Sequence, residues 1–418
     1  MNEQLPEREP EEAGDDPPAF FDDDDDSEAL TMSDIYRGGH RGHNYDAATG
    51  EPRPMPAPAR KPAAAGVGRA DINQAAKDSL LLAHGVPVPD AHPMTIYPGD
   101  GERYGLFDMA EALLQANGHE LEPGADAFRT TVRALSTADF PAATTEVWRA
   151  IAAARQSPQL GKVLQLTRAL TVPDYREVGY SMVDISGLMK PSRATTGAAE
   201  YIDLNPEPTG ETIAAHTLHA RIAVSRQAIV NDSAGLFAAS IDAVLRATAS
   251  IEMESIVGLL LANANMAHDS APVFHADHGN QLESAEPTGG AYVAALRALR
   301  RQKTEAGDPA DSDPAVLLVS ADAEGTALET VKRLPANARP AVVATAHLPD
   351  SQTWFLMASP DTHPVIGRTR LEGSPVSGVS FHALEPAEEH PGLWLPLSFS
   401  VGHSIVSRIG AVRVGGTE

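Results

Sequence analysis

The spacing of apolar residues predicts helices in the first ordered part of the chain and a mixture of strands and helices after it. Four helical patterns come first, at residues 71–86, 104–120, 128–136 and 136–156. In the second pattern Leu106, Met109 and Leu113 recur at helical spacing, and Gly118 supplies a C-cap. We therefore expect order to begin near residue 71 with a short helical segment.

From residue 172 the pattern becomes extended. Residues 172–186 and 211–229 are strand-like, and the stretch between them is polar and rich in Gly, Pro and Thr. This pattern predicts a two-stranded hairpin with a polar tip, too elongated to bury both of its faces by itself. We therefore expect the hairpin to need a partner surface.

The strongest helical pattern covers residues 232–262, after an N-cap offered by Asn231 and Asp232. Its predicted buried face consists of Phe237, Ile241, Val244, Ile251, Ile256 and Leu260. A helix of this size spans roughly 45 Å, longer than a compact domain requires, so we expect a spine along which other elements lie. A charge placed at Ile251 is expected to disrupt this buried face.

After residue 290 helices and strands alternate. The patterns are helical at 291–307 and 324–334, extended at 315–320, 341–347 and 353–359, and strand-rich at the C-terminal end. This alternation predicts an α+β or α/β subdomain. With 418 residues, 42% of them apolar, the chain is long enough for two or three domains.

Composition excludes several classes of protein. The chain has no cysteine, which excludes a disulfide framework, a thiolate zinc site and a cysteine nucleophile. It has no run of about 18 apolar residues and no signal-peptide pattern, so we expect a soluble protein that is neither secreted nor membrane-bound. Its formal charge of −25 repels nucleic-acid phosphates and disfavours sequence-specific binding to DNA or RNA.

The N-terminal 70 residues differ from the rest in composition. They carry five consecutive aspartates, Asp22–Asp26, and a stretch rich in proline and alanine. Such segments bury too little apolar surface to offset the entropy of ordering, so disorder is predicted. The aspartate run lacks the spaced ligands and glycine turn of a calcium loop, and we interpret it as a solvated charge tract.

The segment VFHADHGN (273–280) is the strongest candidate for chemistry, because it places His275, Asp277 and His278 within four positions. Imidazole and carboxylate are zinc and iron ligands, so a metal-dependent hydrolase is one interpretation. Against it, a catalytic zinc needs three converging protein ligands, and this irregular segment offers two histidines. In the other interpretation the side chains bond neighbouring backbone groups and pin a turn after the long helix, with Gly279 at positive φ.

Other catalytic signatures are absent from the sequence. It contains no phosphate-binding loop, dinucleotide-binding glycine motif, nucleophile elbow or HExxH motif. No spacing singles out a Ser-His-Asp triad. We therefore predict no catalytic residue, no cofactor and no metal site.

Several segments, taken in order, resemble one family. They are STADFPA (136–142, with Asp139 and Phe140), PDY (173–175), IVNDSAGLF (229–237, with Asn231 and Asp232), FHADHGN (274–280, with Phe274, His275, Asp277, His278, Gly279 and Asn280) and RRQKTEAGDP to PAVLLVS (300–320). The set is similar to that of the Mu-like, Hong Kong 97-type major capsid proteins of tailed phages and prophages, above all those encoded with a prohead protease. The resemblance covers about residues 72–418.

The resemblance implies an α+β fold of the Hong Kong 97 type, with an N-arm, an E-loop hairpin, a peripheral domain that holds a spine helix, and an axial domain. The implied parts are a disordered acidic, Pro-rich segment at 1–70, a short helical scaffold-like segment at 71–135, the N-arm at 136–175, the E-loop at 176–222, the peripheral domain at 223–290, and the axial domain with the C-terminal strands at 291–418. In such a protein the motif residues have structural roles.

The resemblance also implies a function. The protein would be structural, not an enzyme, and would assemble as pentamers and hexamers into an icosahedral shell around phage genomic DNA, contacted non-specifically at most. The implied partners are a separate prohead protease, a scaffold and a portal. The implied location is the virion, after assembly in the cytoplasm of the bacterial host.

The chain departs from the family at its N-terminus. Residues 1–70 match nothing in the family, and no protease domain is present. Two interpretations of the first 130 or so residues stay open: a scaffold-like segment that is removed during maturation, or the remnant of a fusion linker.

Two alternative functions also stay open. One is an encapsulin-type compartment shell, which uses the same fold to enclose an enzyme. The other is the metal-dependent hydrolase centred on His275, Asp277 and His278. Metal analysis separates the enzyme from the shells, because stoichiometric zinc or iron that is lost in His275→Ala favours the enzyme.

Overall fold

The computed structural model describes residues 68–96, 104–121, 126–155, 157–181, 208–230, 234–304, 307, 309–387 and 392–415. The chain divides into two units, Met1–Ala65 and Gly66–Glu418, and every described residue lies in the second. The helices are α1 (Arg69–Ala83), α2 (Leu106–Ala116), α3 (Ala127–Leu135), α4 (Asp139–Ala154), α5 (Pro158–Leu166), α6 (Arg226–Val230), α7 (Ala234–Ala262), α8 (Gly289–Arg301) and α9 (Glu324–Lys332), with a 3-10 turn at Ala336–Ala338. The strands are β1 (Thr167–Val172), β2 (Val178–Ser181), β3 (Pro208–Ile213), β4 (His216–Ser225), β5 (Gln281–Leu282), β6 (Pro314–Ser320), β7 (Ala341–Thr345), β8 (Trp354–Ala358), β9 (Ile366–Leu371), β10 (Val379–Phe381), β11 (Glu385–Pro386), β12 (Gly392–Ile405) and β13 (Ala411–Val414).

The four helices predicted before residue 156 are present as α1 to α4. Gly85 and Gly118 follow α1 and α2 with φ of 76° and 75°, a backbone conformation that glycine adopts without the steric cost of a Cβ. The carboxylate of Asp126 caps α3 by accepting a hydrogen bond of 3.2 Å from the backbone N–H of Phe128. The predicted helical segment is therefore confirmed, with bounds that differ by a few residues.

Strand β12 organises a six-stranded mixed sheet. It runs antiparallel to β4 from the pair Gly392↔Ser225 to the pair Val401↔His216. It also pairs antiparallel with β10, with β11 and, near its C-terminal end, with β9, which lies parallel to β1. Strands β2 and β3 form a two-stranded ladder at the base of the predicted hairpin, whose remaining residues 182–207 lie outside the described residues.

A five-stranded sheet follows in the C-terminal part, in the order β5-β13-β8-β6-β7. Alternate residues of β6 face two different apolar cores: Leu317 and Val319 pack with α8 and α9, while Val316 and Leu318 pack with α7. Helices and mixed sheets in one chain make the fold α+β, as predicted.

The long helix α7 has 29 residues and was predicted at 232–262. It joins two cores, because Ile241 and Leu245 belong to the core shared with α1–α4, whereas Met253 and Ile256 belong to the core under the five-stranded sheet. At about 1.5 Å per residue the helix is roughly 44 Å long. Neither α7 nor any other helix among the described residues is long and apolar enough to span a membrane.

The predicted buried face of α7 is wrong at Ile251, which is 44% exposed. At 100° per residue the buried positions Ile241, Leu245, Met253 and Ile256 share one side of the helix, and Ile251 points away from it. The error has a physical cause: apolar residues surround most of α7, so their spacing does not select a single face. A charge at Ile251 is therefore not expected to disrupt folding of the single chain.

Candidate functional site

The segment after α7 forms a turn that is closed by two asparagines. Asn263 stands at the helix end with φ of 46°. Its side chain accepts a hydrogen bond from Phe274 N (2.7 Å) and donates one to Phe274 O (3.0 Å). The Phe274 ring is buried against Phe355, with 5.4 Å between ring centroids. The turn is therefore bonded to the helix end at one side and packed into the sheet at the other.

Asn280 closes the same turn from its C-terminal side. Its Oδ1 accepts a hydrogen bond from His275 N (3.0 Å), and its Nδ2 donates to Val273 O (2.8 Å). Its backbone carbonyl accepts from Arg413 N (2.8 Å), which ties the turn to β13. The side chain is fully buried, and Gly279 beside it has a φ of 64°.

The two histidine rings of the motif lie edge-on to each other, with 5.8 Å between their centroids, but they differ in exposure and in their polar contacts. His278 Nε2 lies 3.0 Å from Asp269 Oδ2, and its Nδ1 lies 3.3 Å from Val273 O. His275 is 41% exposed at its side chain, and Asp277 is 90% exposed. The described residues contain no group of three or more His, Cys, Asp or Glu side chains that could hold a metal ion.

The charge of Asp269 is stabilised where it meets His278. Burial by itself would raise the pKa of Asp269, but the N–H of Ala271 and the nearby His278 and Arg408 side chains outweigh it and lower the pKa. Arg408 Nε lies 3.5 Å from the same carboxylate oxygen. The turn is thus tied to the loop before β13 as well as to the helix.

Removing the amide of Asn280 should destabilise the fold. In Asn280→Ala, His275 N loses its partner and Val273 O keeps only its longer contact with His278 Nδ1, so we expect a loss of about 2 kcal/mol in the free energy of unfolding. The matched control is Asp277→Ala in the same turn, which should change that free energy by less than about 0.5 kcal/mol because its side chain is exposed. Urea unfolding of both variants measures the difference, and equal effects would contradict it.

The remaining motif residues fall in two places. Asp139 opens α4, where its carboxylate accepts hydrogen bonds from Asn117 (3.0 Å) and Arg69 (2.5 Å). Phe140 is fully buried in the first core. Asn231 and Asp232 lie outside the described residues.

A buried ionic cluster joins the middle of α7 to the six-stranded sheet. Arg368 on β9 makes two hydrogen bonds to Glu252, at 2.5 Å from Nε and 2.9 Å from Nη2. His403 Nε2 on β12 lies 3.2 Å from the same carboxylate. The side chains of Glu252 and Arg368 are each 1% exposed, and that of His403 is 5% exposed.

Burial and the neighbouring cationic groups have opposing effects on the pKa of Glu252. Burial would raise the pKa, but the hydrogen bonds from Arg368 and His403 and the positive charge of Arg368 lower it overall. The carboxylate is therefore held ionised inside the protein. Sequence reasoning missed this cluster because Glu252 is more than a hundred positions away from both Arg368 and His403. The available signal was weak, since Glu252 is one of two carboxylates, with Glu254, on this part of the helix.

A second buried titratable group lies where the N-terminal helices meet α4. His84 packs edge-on against Trp148, with 5.9 Å between ring centroids, and Arg155 Nη2 donates to the His84 carbonyl (3.0 Å). Arg155 is also paired with Asp242 of α7 at 2.5 Å. Burial first, and then the charge of Arg155, lower the pKa of His84 to about 4.

This histidine should make the fold sensitive to acid. Because the pKa of His84 is lower in the folded state than its ordinary 6.5, its contribution is complete above pH 6.5 and is lost as the pH falls towards 4. The expected loss approaches about 3 kcal/mol at the lower end. Urea unfolding between pH 7 and 4 should show this slope in wild type and lose it in His84→Phe. The exposed His119→Phe should keep it, and a retained slope in His84→Phe would contradict the assignment.

Comparison with known proteins places part of this fold in a family. Residues 210–389, which begin within β3 and end before β12, match the family model described as phage capsid protein. No curated protein matches the sequence. The matched region contains α7, the asparagine-closed turn and the Glu252–Arg368 pair.

Solved structures with a similar fold include a phage-related protein, an encapsulin complex and a cyanophage capsid. A phage-related protein from Bordetella bronchiseptica RB50 is 14% identical over 65% of this chain and 96% of its own, with a TM-score of 0.46. The holo-SrpI encapsulin of Synechococcus elongatus PCC 7942 is 12% identical over 62% of this chain and 86% of its own (TM-score 0.39). The capsid of cyanophage P-SCSP1u is 12% identical over 61% and 88% (TM-score 0.34).

The α+β architecture and the family match point to one class of protein, the structural phage capsid proteins. Residues 210–389, which are less than half of the chain, match the phage capsid protein family, and this match supports a structural role and not an enzymatic one. Capsid proteins of this family are components of the virion and act together with copies of themselves. The family match favours this structural role over the alternative of a metal-dependent hydrolase at His275, Asp277 and His278.

Proposed function

We propose that the chain is the major head subunit of a Mu-like phage or prophage, and that its copies assemble as pentamers and hexamers into an icosahedral shell around genomic DNA. The shell contacts the DNA non-specifically at most. A separate prohead protease, a scaffold and a portal act with the subunit, and assembly takes place in the cytoplasm of the bacterial host. The family match and the order of the motif segments support this proposal.

The parts of the subunit follow the family pattern in this proposal. Residues 136–175 are the N-arm, 176–222 the E-loop, 223–290 the peripheral domain with α7 as its spine helix, and 291–418 the axial domain with the C-terminal strands. The two-stranded ladder of β2 and β3, the 29 residues of α7 and the five-stranded sheet with α8 and α9 support the partition.

The apolar side of β4 is the main structural observation that supports the proposed shell. Positions two apart on a strand share a face, so Leu218, Ile222 and Val224 lie on the same side of β4. Val224 is buried in the first core and Ile222 is half-buried, but Leu218 is 55% exposed. Among the described residues β4 pairs with β12 alone. An apolar stripe that continues beyond the core of one subunit is expected where a neighbouring copy covers it.

Two substitutions at this position test the proposal. Leu218→Glu should leave the subunit folded, because the side chain is exposed within one chain, and should prevent shells from forming. The matched control, Leu218→Met, keeps an apolar side chain and should assemble. Circular dichroism checks the fold and light scattering measures assembly; shells of Leu218→Glu equal to wild type would contradict the proposed contact. An encapsulin-type shell would give the same result, and the contents of the particles, DNA or an enzyme, separate the two.

A further inference from the structure

The three N-terminal helices are built into the core of the subunit. Helix α4 contacts α1, α2 and α3 on the one hand and α7 and β10 on the other. The first apolar core is continuous across these elements, from Leu80 of α1 to Ile241 of α7 and Phe381 of β10. Helix α4 therefore lies between the N-terminal helices and the body of the subunit.

Both sides of this contact are fully buried. Met109, Leu113 and Leu114 of α2 have no exposed surface, and neither does Trp148 of α4. Ile151, one turn further along α4, is also fully buried. Without the N-terminal helices, α4 would present an apolar face to water.

Polar contacts tie the same helices to the chain after residue 135. Arg69 at the start of α1 pairs with Asp139 at 2.5 Å, and Lys77 pairs with Glu146 at 2.7 Å. A third pair joins Asp126, the cap of α3, to Arg226 of α6. Arg155 adds its hydrogen bond to the His84 carbonyl. These ties run from the first to the last of the N-terminal helices, so the contact is not confined to one end.

We propose that residues 69–135 are a permanent part of the subunit that covers α4, and not a scaffold segment that maturation removes. Any processing that accompanies assembly then cuts before Arg69, in the acidic and proline-rich part of the chain. This proposal concerns how one subunit is built, not only its assembly into a shell. It opposes the interpretation in which all of the first 130 or so residues are removed during maturation. It also means that this face of α4 is closed to neighbouring copies.

Hydrogen exchange on the full chain tests the contact without requiring shells. In Leu113→Asp we expect the amides of α4 and of β10 to lose protection by about tenfold or more, together with those of α1–α3. Gln115→Asp, an exposed position on the same helix, is the control and should leave α4 unchanged. If Leu113→Asp cannot be purified, Leu113→Ala gives the same comparison with a smaller change. Loss of protection confined to residues 69–135 would overturn the proposal.

The mass of the subunit in assembled particles tests the processing boundary. Particles made with the neighbouring genes should contain a subunit whose N-terminus lies at or before Arg69, whether or not the preceding residues are removed. A subunit that begins after Arg69 would overturn the proposal. Because the exchange experiment uses unassembled protein, a failure of the shell function does not affect its outcome.

Discussion

Replacing Arg368 by methionine is expected to lower the free energy of unfolding by about 3–5 kcal/mol, because the carboxylate of Glu252 would stay buried without its cationic partner. His403 remains within hydrogen-bond distance of Glu252 but cannot replace the two bonds from the guanidinium. Urea unfolding near neutral pH measures the loss. A change below about 1 kcal/mol would contradict the view that this pair fixes α7 to the sheet.

The double variant Glu252→Leu with Arg368→Met shows whether charge or packing matters. Once both charges are gone no carboxylate is left unpaired, so we expect the double variant to recover about 2–3 kcal/mol relative to Arg368→Met alone. The free energy of unfolding of the double variant should also fall less than that of wild type as the pH is lowered. The lowered pKa of Glu252 gives wild type a contribution that is complete above about pH 4.5 and is lost as the pH falls through the folded-state pKa.

The second large effect is expected from Gly402→Ala on β12. A Cβ placed at this position lies 1.8 Å from the backbone oxygen of Ala214 and 2.8 Å from Thr369 Oγ1, so the backbone has to move. Thr369 Oγ1 donates to that same Ala214 oxygen at 3.1 Å, which holds the link between β3 and β4 against the sheet. We expect a loss of about 3 kcal/mol or more in the free energy of unfolding, measured with urea.

A glycine in open surroundings serves as the control for Gly402. Gly258 lies in α7, and a Cβ added to it would meet no neighbouring atom within 4 Å. Gly258→Ala should therefore be neutral or stabilise by about 0.5–1 kcal/mol. Hydrogen exchange adds a local test. In Gly402→Ala the amides of residues 208–215 should lose protection more than those of β13, and unchanged protection there would contradict the assigned close approach.

Local chemistry explains why much of the fold could be predicted from the sequence. Helical spacing located α1–α4 because each has a short apolar stripe and an end signal such as Gly85 or Gly118. The 29 residues of α7 were found because no proline interrupts them. The turn after it was located because His275 to Asn280 combine small, polar and positive-φ residues.

The parts of the fold and of the site that could not be predicted depend on contacts between residues that are far apart in the sequence. The face of α7 could not be assigned, since Glu252 is buried and Ile251 is exposed, the reverse of what polarity suggests. Glu252 can be buried because Arg368 and His403 approach its carboxylate, and the spacing of residues in the sequence does not reveal either contact. The role of Asn263 was missed for the same reason, because its partner Phe274 is eleven positions away across a turn.

The predicted hairpin was expected to need a partner surface, and the contacts at its base show where part of that surface lies. Part of that surface belongs to its own chain: Ile213 is buried, and Glu211 accepts a hydrogen bond of 2.5 Å from Ala267 N. Leu218 nevertheless stays uncovered within one chain. The hairpin is thus fixed at its base within one chain, whereas Leu218 on β4 is left for a neighbour to cover in the proposed shell.

Negative-stain electron microscopy of the full chain, expressed alone and with its neighbouring genes, tests the central claim most directly. We expect closed particles of uniform diameter in at least one of the two preparations, because the uncovered stripe of β4 needs a second copy. Single subunits in both preparations, at high protein concentration and with a correctly folded chain, would contradict the account.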